Sequence, residues 1–332
     1  MAQPHATIAI LSIGQMGLGI AALLQSNNYT ITTTLNGRSP ATRDRAASLG
    51  IRVLDTDEEL VATADYLLSI VPPRDAVATA ERVIAALQKG CRAAPSEPRK
   101  HCLYYLDLNA VSTSTARGTA SLFENNGMQD QVRYIDGCII GTPPRAPSSP
   151  SSSPQSSSST TTTTTNTTDA TSLSSWYRPG IPLSGPAVLP DAHLASVLNT
   201  RHLGPQVGTA SGLKCCFAAL TKGFTGLALQ AFTTAESLGV LPDLLSYMDV
   251  YNPGARAKAE RGVVACTGKA YRWVEEMRQI GECFDDEGGW TSASVFRELA
   301  AVFQRLADVV EHEGGSEGMS DVRGVVGALG GM

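Results

Sequence analysis

The residues best placed to do chemistry begin with a glycine turn close to the N-terminus, Ile10-Leu11-Ser12-Ile13-Gly14-Gln15-Met16-Gly17. In the GxGxxG fingerprint the first glycine permits a tight strand-to-helix turn, the second lets backbone amides approach a pyrophosphate, and the third packs helix on strand. Gly14 and Gly17 hold the second and third places here, and Ser12 holds the first. The backbone of Ser12, Gly14, Gln15, Met16 and Gly17 is therefore a candidate phosphate cradle. About 20 residues further on, NAD-specific sites place a carboxylate for the ribose 2′-hydroxyl. This chain has Asn36-Gly37-Arg38-Ser39 instead. The Arg38 guanidinium offers charge and a forked donor, and the Ser39 hydroxyl adds one hydrogen bond, a pairing suited to a 2′-phosphate. Arg43, one turn into the next helix, can assist. The expected cofactor is NADP(H) rather than NAD(H).

Such a cradle must sit where a buried strand meets a helix. Apolar runs at 7–11, 29–35, 51–54, 66–71, 104–108 and 134–140 alternate with helical spacing at 17–24, 41–49, 75–87 and 112–125. That alternation implies βαβ units and a doubly wound parallel sheet, an α/β Rossmann domain. From 143 to 175 the chain is almost entirely Ser, Thr and Pro, with an unbroken Ser/Thr run at 156–165. Too few apolar side chains remain to offset chain entropy, so a disordered insertion is expected, read as a tolerated loop expansion. After a last strand at 181–184, apolar periodicity near 3.6 at 209–238, 241–250, 255–280 and 292–311 implies helices. The expected organisation is a Rossmann domain at 1–142 and 176–207, the insertion at 143–175, and an all-helical domain at 208–332 for substrate binding and dimerisation.

Composition narrows the function classes. The 332 residues carry a net charge of -5, with 42% hydrophobic and 17% charged residues, which argues against nucleic-acid binding. Seven cysteines form no CxxC, and no histidine pairs with a second ligand at metal-site spacing, so neither a zinc site nor any other metal is expected. Reduced thiols suggest a cytoplasmic protein. No apolar run of spanning length is read, and the N-terminal run lacks the basic start of a signal peptide, so no membrane association is expected.

A family resemblance rests on the order of several segments. Gly14-Gln15-Met16-Gly17, Ser69-Ile70-Val71-Pro72-Pro73, Asp107-Leu108-Asn109-Ala110-Val111-Ser112, Asp136-Gly137-Cys138-Ile139-Ile140-Gly141 and Gly208-Thr209-Ala210-Ser211-Gly212-Leu213-Lys214 follow one another. This order resembles the β-hydroxyacid and 6-phosphogluconate dehydrogenases. The segments around Lys214-Cys215-Cys216-Phe217 and Tyr271-Arg272-Trp273-Val274 resemble the branch whose helical C-terminal domain is catalogued as one of unknown function. The resemblance covers nearly the whole chain apart from the Ser/Thr tract and the C-terminal tail.

What it implies is specific. Lys214 would exchange a proton with the substrate oxygen. Val71, Pro72, Pro73 and Asn109 would line the cofactor, and Gly141 and Thr142 would belong to the substrate loop. Lys222, two helical turns beyond Lys214 and on its face, would lower the Lys214 pKa or hold an anionic group. Two anchors are replaced: Ala218 stands where the family has an asparagine, and Ile140 where it has a serine. Their loss favours a bulkier, more apolar substrate. Asp136 reads as structural, Cys215 and Cys216 as core packing, and Trp273 with its neighbouring glutamates as packing plus a solvated face. The resulting expectation is an NADP(H)-dependent dehydrogenase or reductase acting on a carbonyl or alcohol carbon of a small molecule, as a homodimer. The alternatives are an imine reductase-like enzyme, opposed by a lysine at the proton donor, and a non-catalytic NADP(H)-binding regulatory protein.

Overall fold

The computed structural model describes residues 4–93, 102–147, 176–291 and 295–330. Most of the Ser/Thr tract expected to be disordered, 148–175, lies outside the described residues. The chain divides into two compact units, the first 1–71, 78–108 and 121–206, the second 72–77, 109–120 and 207–332.

In the first unit, β1 (Thr7–Leu11), β2 (Thr30–Thr34), β3 (Arg52–Leu54), β4 (Tyr66–Ser69), β5 (Leu103–Asp107), β6 (Val132–Gly137), β7 (Ile181–Ser184) and β8 (Thr200–His202) form one eight-stranded sheet. The strand order is β3-β2-β1-β4-β5-β6-β7-β8. The first six strands pair in parallel. β7 turns antiparallel to β6, so the sheet is not parallel throughout. Central β1 is nearly all apolar and buried from Ile8 to Leu11, as a strand covered on both faces must be. The order reverses between β1 and β4, the switch point where ligands of doubly wound folds bind.

Around the sheet run α1 (Gln15–Gln25), α2 (Pro40–Ser48), α3 (Asp57–Thr63), α4 (Ala76–Ala93), α5 (Thr113–Asn125) and α6 (Ala192–Val197). Three elements exceed the sequence expectation. α3 starts at Thr56, whose side chain accepts the Glu59 amide at 3.1 Å, with three acidic residues in its first turn. α6 is capped by Asp191, which accepts the Leu194 amide at 3.0 Å. β8, Thr-Arg-His, pairs through its backbone with β7 at the sheet edge, so its side chains carry no strand pattern. β6 also stops at Gly137, earlier than expected. The chain beyond it makes bridges between Ile140 and Gly180 and between Arg145 and Tyr177. Residues 143–147, expected to open the disordered tract, are thus held at Arg145 by paired backbone bonds of 3.0 and 3.1 Å to Tyr177.

The second unit is helical: α7 (Thr209–Ala218), α8 (Phe224–Ser237), α9 (Leu241–Tyr251), α10 (Pro253–Cys266), α11 (Ala270–Gly288), α12 (Phe296–His312) and α13 (Val322–Gly330). The expected helix at 209–238 contains a π-helical turn, Ala219–Gly223, between α7 and α8. The one expected at 255–280 is broken by a 3-10 turn at Thr267–Lys269, around Gly268. α13 buries Val322, Val325, Val326 and Leu329 at helical spacing despite its glycines. The core gathers Phe232, Val263, Met277 and Phe303, with Trp273 edge-on to Phe303 at 5.2 Å. Continuity through the π turn makes Thr209–Ser237 long and apolar enough to cross a membrane, a length the sequence reading did not find. Half of its apolar window is buried inside the fold, as in the core helix of a helical unit.

Segments 72–77 and 109–120, which the sequence boundary puts in the Rossmann domain, group with the helical unit. Polar bonds explain the second. The Ser112 amide donates to Gln279 Oε1 at 2.8 Å, the Ser114 hydroxyl to Glu282 Oε1 at 2.9 Å, and Arg117 pairs with Glu287 at 2.7 Å.

Candidate functional site

The glycine turn is built by close approach. A Cβ at position 17 would stand 2.1 Å from the Ser12 carbonyl oxygen, a separation no side chain can occupy, so only glycine lets α1 pack on the end of β1. Gly14 is the opposite case: nothing lies within 4 Å of its Cβ position. It is the N-cap of α1 in an extended conformation, no side chain caps it, and the first turn carries no acid. The amides and positive dipole end of α1 are left for an anion. This open cradle fits a dinucleotide pyrophosphate.

At the end of β2, Arg38 is half-buried and Ser39 exposed. The Ser39 hydroxyl lies 3.1 Å from Thr42 Oγ1, and Arg43 Nε donates to the Arg38 carbonyl at 3.3 Å. Arg45 escaped the sequence reading. Its Nε donates to the Ile13 carbonyl at 2.9 Å and its guanidinium to Thr42 Oγ1 at 3.0 Å, so one side chain ties the start of α2 to the glycine turn. Helical spacing puts Arg45 at the end of a short exposed helix, and nothing in the sequence marks its partner. Gln15 is exposed, Met16 packs partly against the sheet core, and Val71 is buried. Pro72 and Pro73 belong to the second unit, so the expected cofactor residues do not all fall in one unit.

In the second unit, Asn109 is buried, and Ser112 caps α5 by accepting the Thr115 amide at 3.0 Å. Gly208 precedes α7 with φ +98°, a left-handed conformation that favours glycine, and a Cβ there would lie 3.2 Å from the Thr113 carbonyl. This fixes the start of the helix that carries Lys214.

Lys222 falls in the π turn rather than on a continuous α-helix, so the shared face with Lys214 expected from α-helical spacing is not kept as drawn. Its ammonium bonds to Glu276 Oε2 and lies 5.2 Å from the centre of the Trp273 ring. Both ion-pair side chains are mostly covered, 19% and 15% exposed. Burial, then the nearby charges of Lys214, Arg272 and Lys269, push the Lys222 ammonium well below the usual lysine range. The Glu276 carboxylate pulls the other way. Glu276 is thus part of a charged cluster, a correction to its reading as solvated face, while Trp273 packs against the core as expected and also faces the Lys222 ammonium. Glu275 instead pairs along α11 with Arg278 at 3.2 Å.

Gly141 and Thr142, the expected substrate loop, are exposed. The Thr142 amide donates to the Tyr177 hydroxyl at 3.4 Å, and the Arg145 guanidinium stacks 5.1 Å above the Tyr177 ring. Tyr177 follows the Ser/Thr tract and gives no sequence signal. Asp136 is fully buried and accepts the Ser184 hydroxyl at 2.7 Å, and Asp107, on the neighbouring strand, accepts from Tyr134 at 3.1 Å.

Comparison with known proteins follows the two units. Residues 7–91 match a family described as NADP oxidoreductase, coenzyme F420-dependent, and residues 235–306 match a domain of unknown function, DUF1932. An uncharacterized 28.5 kDa protein from Methanothermus fervidus is 23% identical over 243 residues, spanning 72% of this chain and 76% of its own. A conserved hypothetical protein from Sinorhizobium meliloti superposes with a TM-score of 0.59 at 22% identity, over 98% of this chain and 96% of its own. A 3-hydroxyisobutyrate dehydrogenase from Salmonella typhimurium gives 0.59 at 12% identity, over 97% and 99%. The chain has the hydroxyacid dehydrogenase-like fold, with the DUF1932 helical domain in its C-terminal part.

The two glycines make separable predictions. Gly14→Ala meets no neighbour and should leave the melting temperature unchanged while weakening the binding of a nicotinamide dinucleotide about tenfold or more, near 1.4 kcal/mol. Gly17→Ala should lose both stability and binding. Fluorescence titration beside thermal melting checks both.

Proposed function

We propose that the protein is an NADP(H)-dependent oxidoreductase in which Lys214 exchanges the proton with a carbonyl or alcohol oxygen. The observation that carries this reading is the gathering of Lys214, Lys222, Arg272 and Lys269 around the ion pair of Lys222 with the mostly covered Glu276 carboxylate. When bound, the reduced nicotinamide supplies hydride. The chain's own residues bind, orient and move the proton. The α1 amides hold the pyrophosphate, while Arg38 and Ser39 recognise the 2′-phosphate. Lys214 gives its proton to the carbonyl oxygen during reduction and recovers it during oxidation. The charge of Lys214 helps to push the Lys222 ammonium below the usual lysine range, and Glu276 pairs with that ammonium.

The same cluster bears on substrate. Lys214, Lys222, Lys269 and Arg272 outnumber Glu276, which supports an anionic group on the bulkier, more apolar substrate inferred from Ala218 and Ile140. The ring of Trp273 supplies apolar surface beside the charge.

The protein is further proposed to act as a homodimer through the helical unit. Leu213, Phe217, Leu220, Leu227 and Leu238 form an exposed apolar stripe along α7 and α8, and Leu220 is 74% exposed. Such a stripe is usual for a surface covered in the working assembly.

Three outcomes are expected. Arg38→Ala should weaken NADPH binding about 10- to 150-fold, the loss of a charged hydrogen bond, and leave NADH binding unchanged. Lys214→Ala should reduce NADPH turnover by about 100- to 10,000-fold with cofactor affinity retained, in a screen of anionic and neutral aldehydes, ketones and imines. Tight NADPH binding with no turnover on any class would favour a regulatory protein instead. Leu220→Glu should convert a dimer to a monomer in light scattering.

A further inference from the structure

Two glycines outside the cradle make room for one piece of packing in the first unit. Gly19 lies on α1, just past its first turn, and a Cβ there would stand 3.0 Å from both the ring Cδ and the carbonyl oxygen of Pro144 and 3.2 Å from Pro143. The two prolines are thus seated directly on the helix that opens with the glycine turn. Gly141 has φ +129°, and a Cβ there would meet the Tyr177 hydroxyl at 3.0 Å and Pro179 at 3.2 Å. Tyr177 can therefore close on the same stretch. Arg145, the residue after the prolines, is bridged to Tyr177 by two backbone hydrogen bonds, and its guanidinium stacks 5.1 Å from the centre of the Tyr177 ring. Among the described residues this guanidinium forms no ion pair, and Thr142 Oγ1 stands 3.5 Å from it. The result is an exposed but oriented cation beside the phosphate helix.

We propose that Arg145, aimed by Tyr177, binds the diphosphate of a dinucleotide held at α1, adding a cation to the backbone donors there. The proposal rests on the reading of the α1 terminus as a dinucleotide cradle and goes beyond it by naming a side chain. A diphosphate carries negative charge on both phosphates, while the cradle offers only amides and a helix dipole, since Gln15, Met16, Gly17 and Leu18 are all uncharged. A cation from another segment completes it. Gly19 is about 6 Å along the helix axis from Gln15, a span that an arginine side chain crosses. Stacking uses the face of the guanidinium and leaves its edge N–H groups to the phosphate oxygens. It also holds the side chain near one orientation, so less freedom is lost on binding. Because NADPH and NADH share the diphosphate, this contact is separate from recognition of the 2′-phosphate by Arg38 and Ser39.

The test compares full-length Arg145→Gln with the wild type in fluorescence titrations of NADPH and NADH and in competition by ADP-ribose and adenosine 2′-monophosphate, with thermal melting to follow folding. Affinity for NADPH, NADH and ADP-ribose should fall about tenfold or more, the loss of one charged hydrogen bond. Adenosine 2′-monophosphate, which has no diphosphate, should bind as before. Tyr177→Leu, which removes the stack, should lower the same three affinities by a smaller factor. A loss confined to NADPH, an equal loss for adenosine 2′-monophosphate, or unchanged affinity for all four compounds in Arg145→Gln would each overturn the proposal. Phenylglyoxal labelling of the wild-type protein with peptide mapping decides the question even if a variant fails to fold. ADP-ribose should protect Arg145, and equal labelling with and without it would overturn the proposal. Wild-type protein that binds no dinucleotide would remove the cradle reading as well, whereas wild-type binding with an indifferent Arg145 removes this proposal alone.

Discussion

The carbonyl oxygen of Ser12 occupies the space that any side chain at position 17 would need. From that contact follows the tight seating of α1 on the end of β1, and from the seating follows the aim of the helix amides at the open space around Gly14. Arg45 secures the arrangement from the other side by holding the Ile13 carbonyl. A helix terminus with no side-chain cap and no acid in its first turn leaves backbone donors to be satisfied from outside, and a phosphate does this well. The cradle is thus a consequence of packing, because the backbone alone supplies its donors.

The second unit answers a different problem, the burial of a cation. A charge removed from water needs a partner and further polar contacts. Lys222 has both in Glu276 and the face of Trp273, and the π turn widens the helix at the point where the side chain must reach α11. Lys214 lies within electrostatic reach, and its charge helps to lower the Lys222 ammonium.

Legibility in the sequence varied with the range of the interaction. The continuous apolar run of β1 and the glycine turn after it are local signals, and both elements stand where periodicity puts them. The cap at Thr56 and the valines of α13 were equally local, though a two-residue connection and a glycine-rich tail hid them. Strand β8 carries no side-chain pattern because its role is to pair backbone with β7. The two helical breaks, at the π turn and at Thr267–Lys269, leave the apolar spacing around them nearly intact, so periodicity runs straight through them.

By itself the sequence determined the α/β alternation, the helical C-terminal half and the order of the motifs leading to Lys214, because each depends on residues within a turn or a strand of one another. Only tertiary structure decided that Glu276 meets Lys222 across 54 residues, that Arg45 meets Ile13 across 32, and that Tyr177 meets Thr142 across 35. It also decided that 109–120 pack with the helical unit. These pairings satisfy charges and hydrogen bonds whose donors and acceptors lie on different elements. No local periodicity records which surfaces the fold brings together.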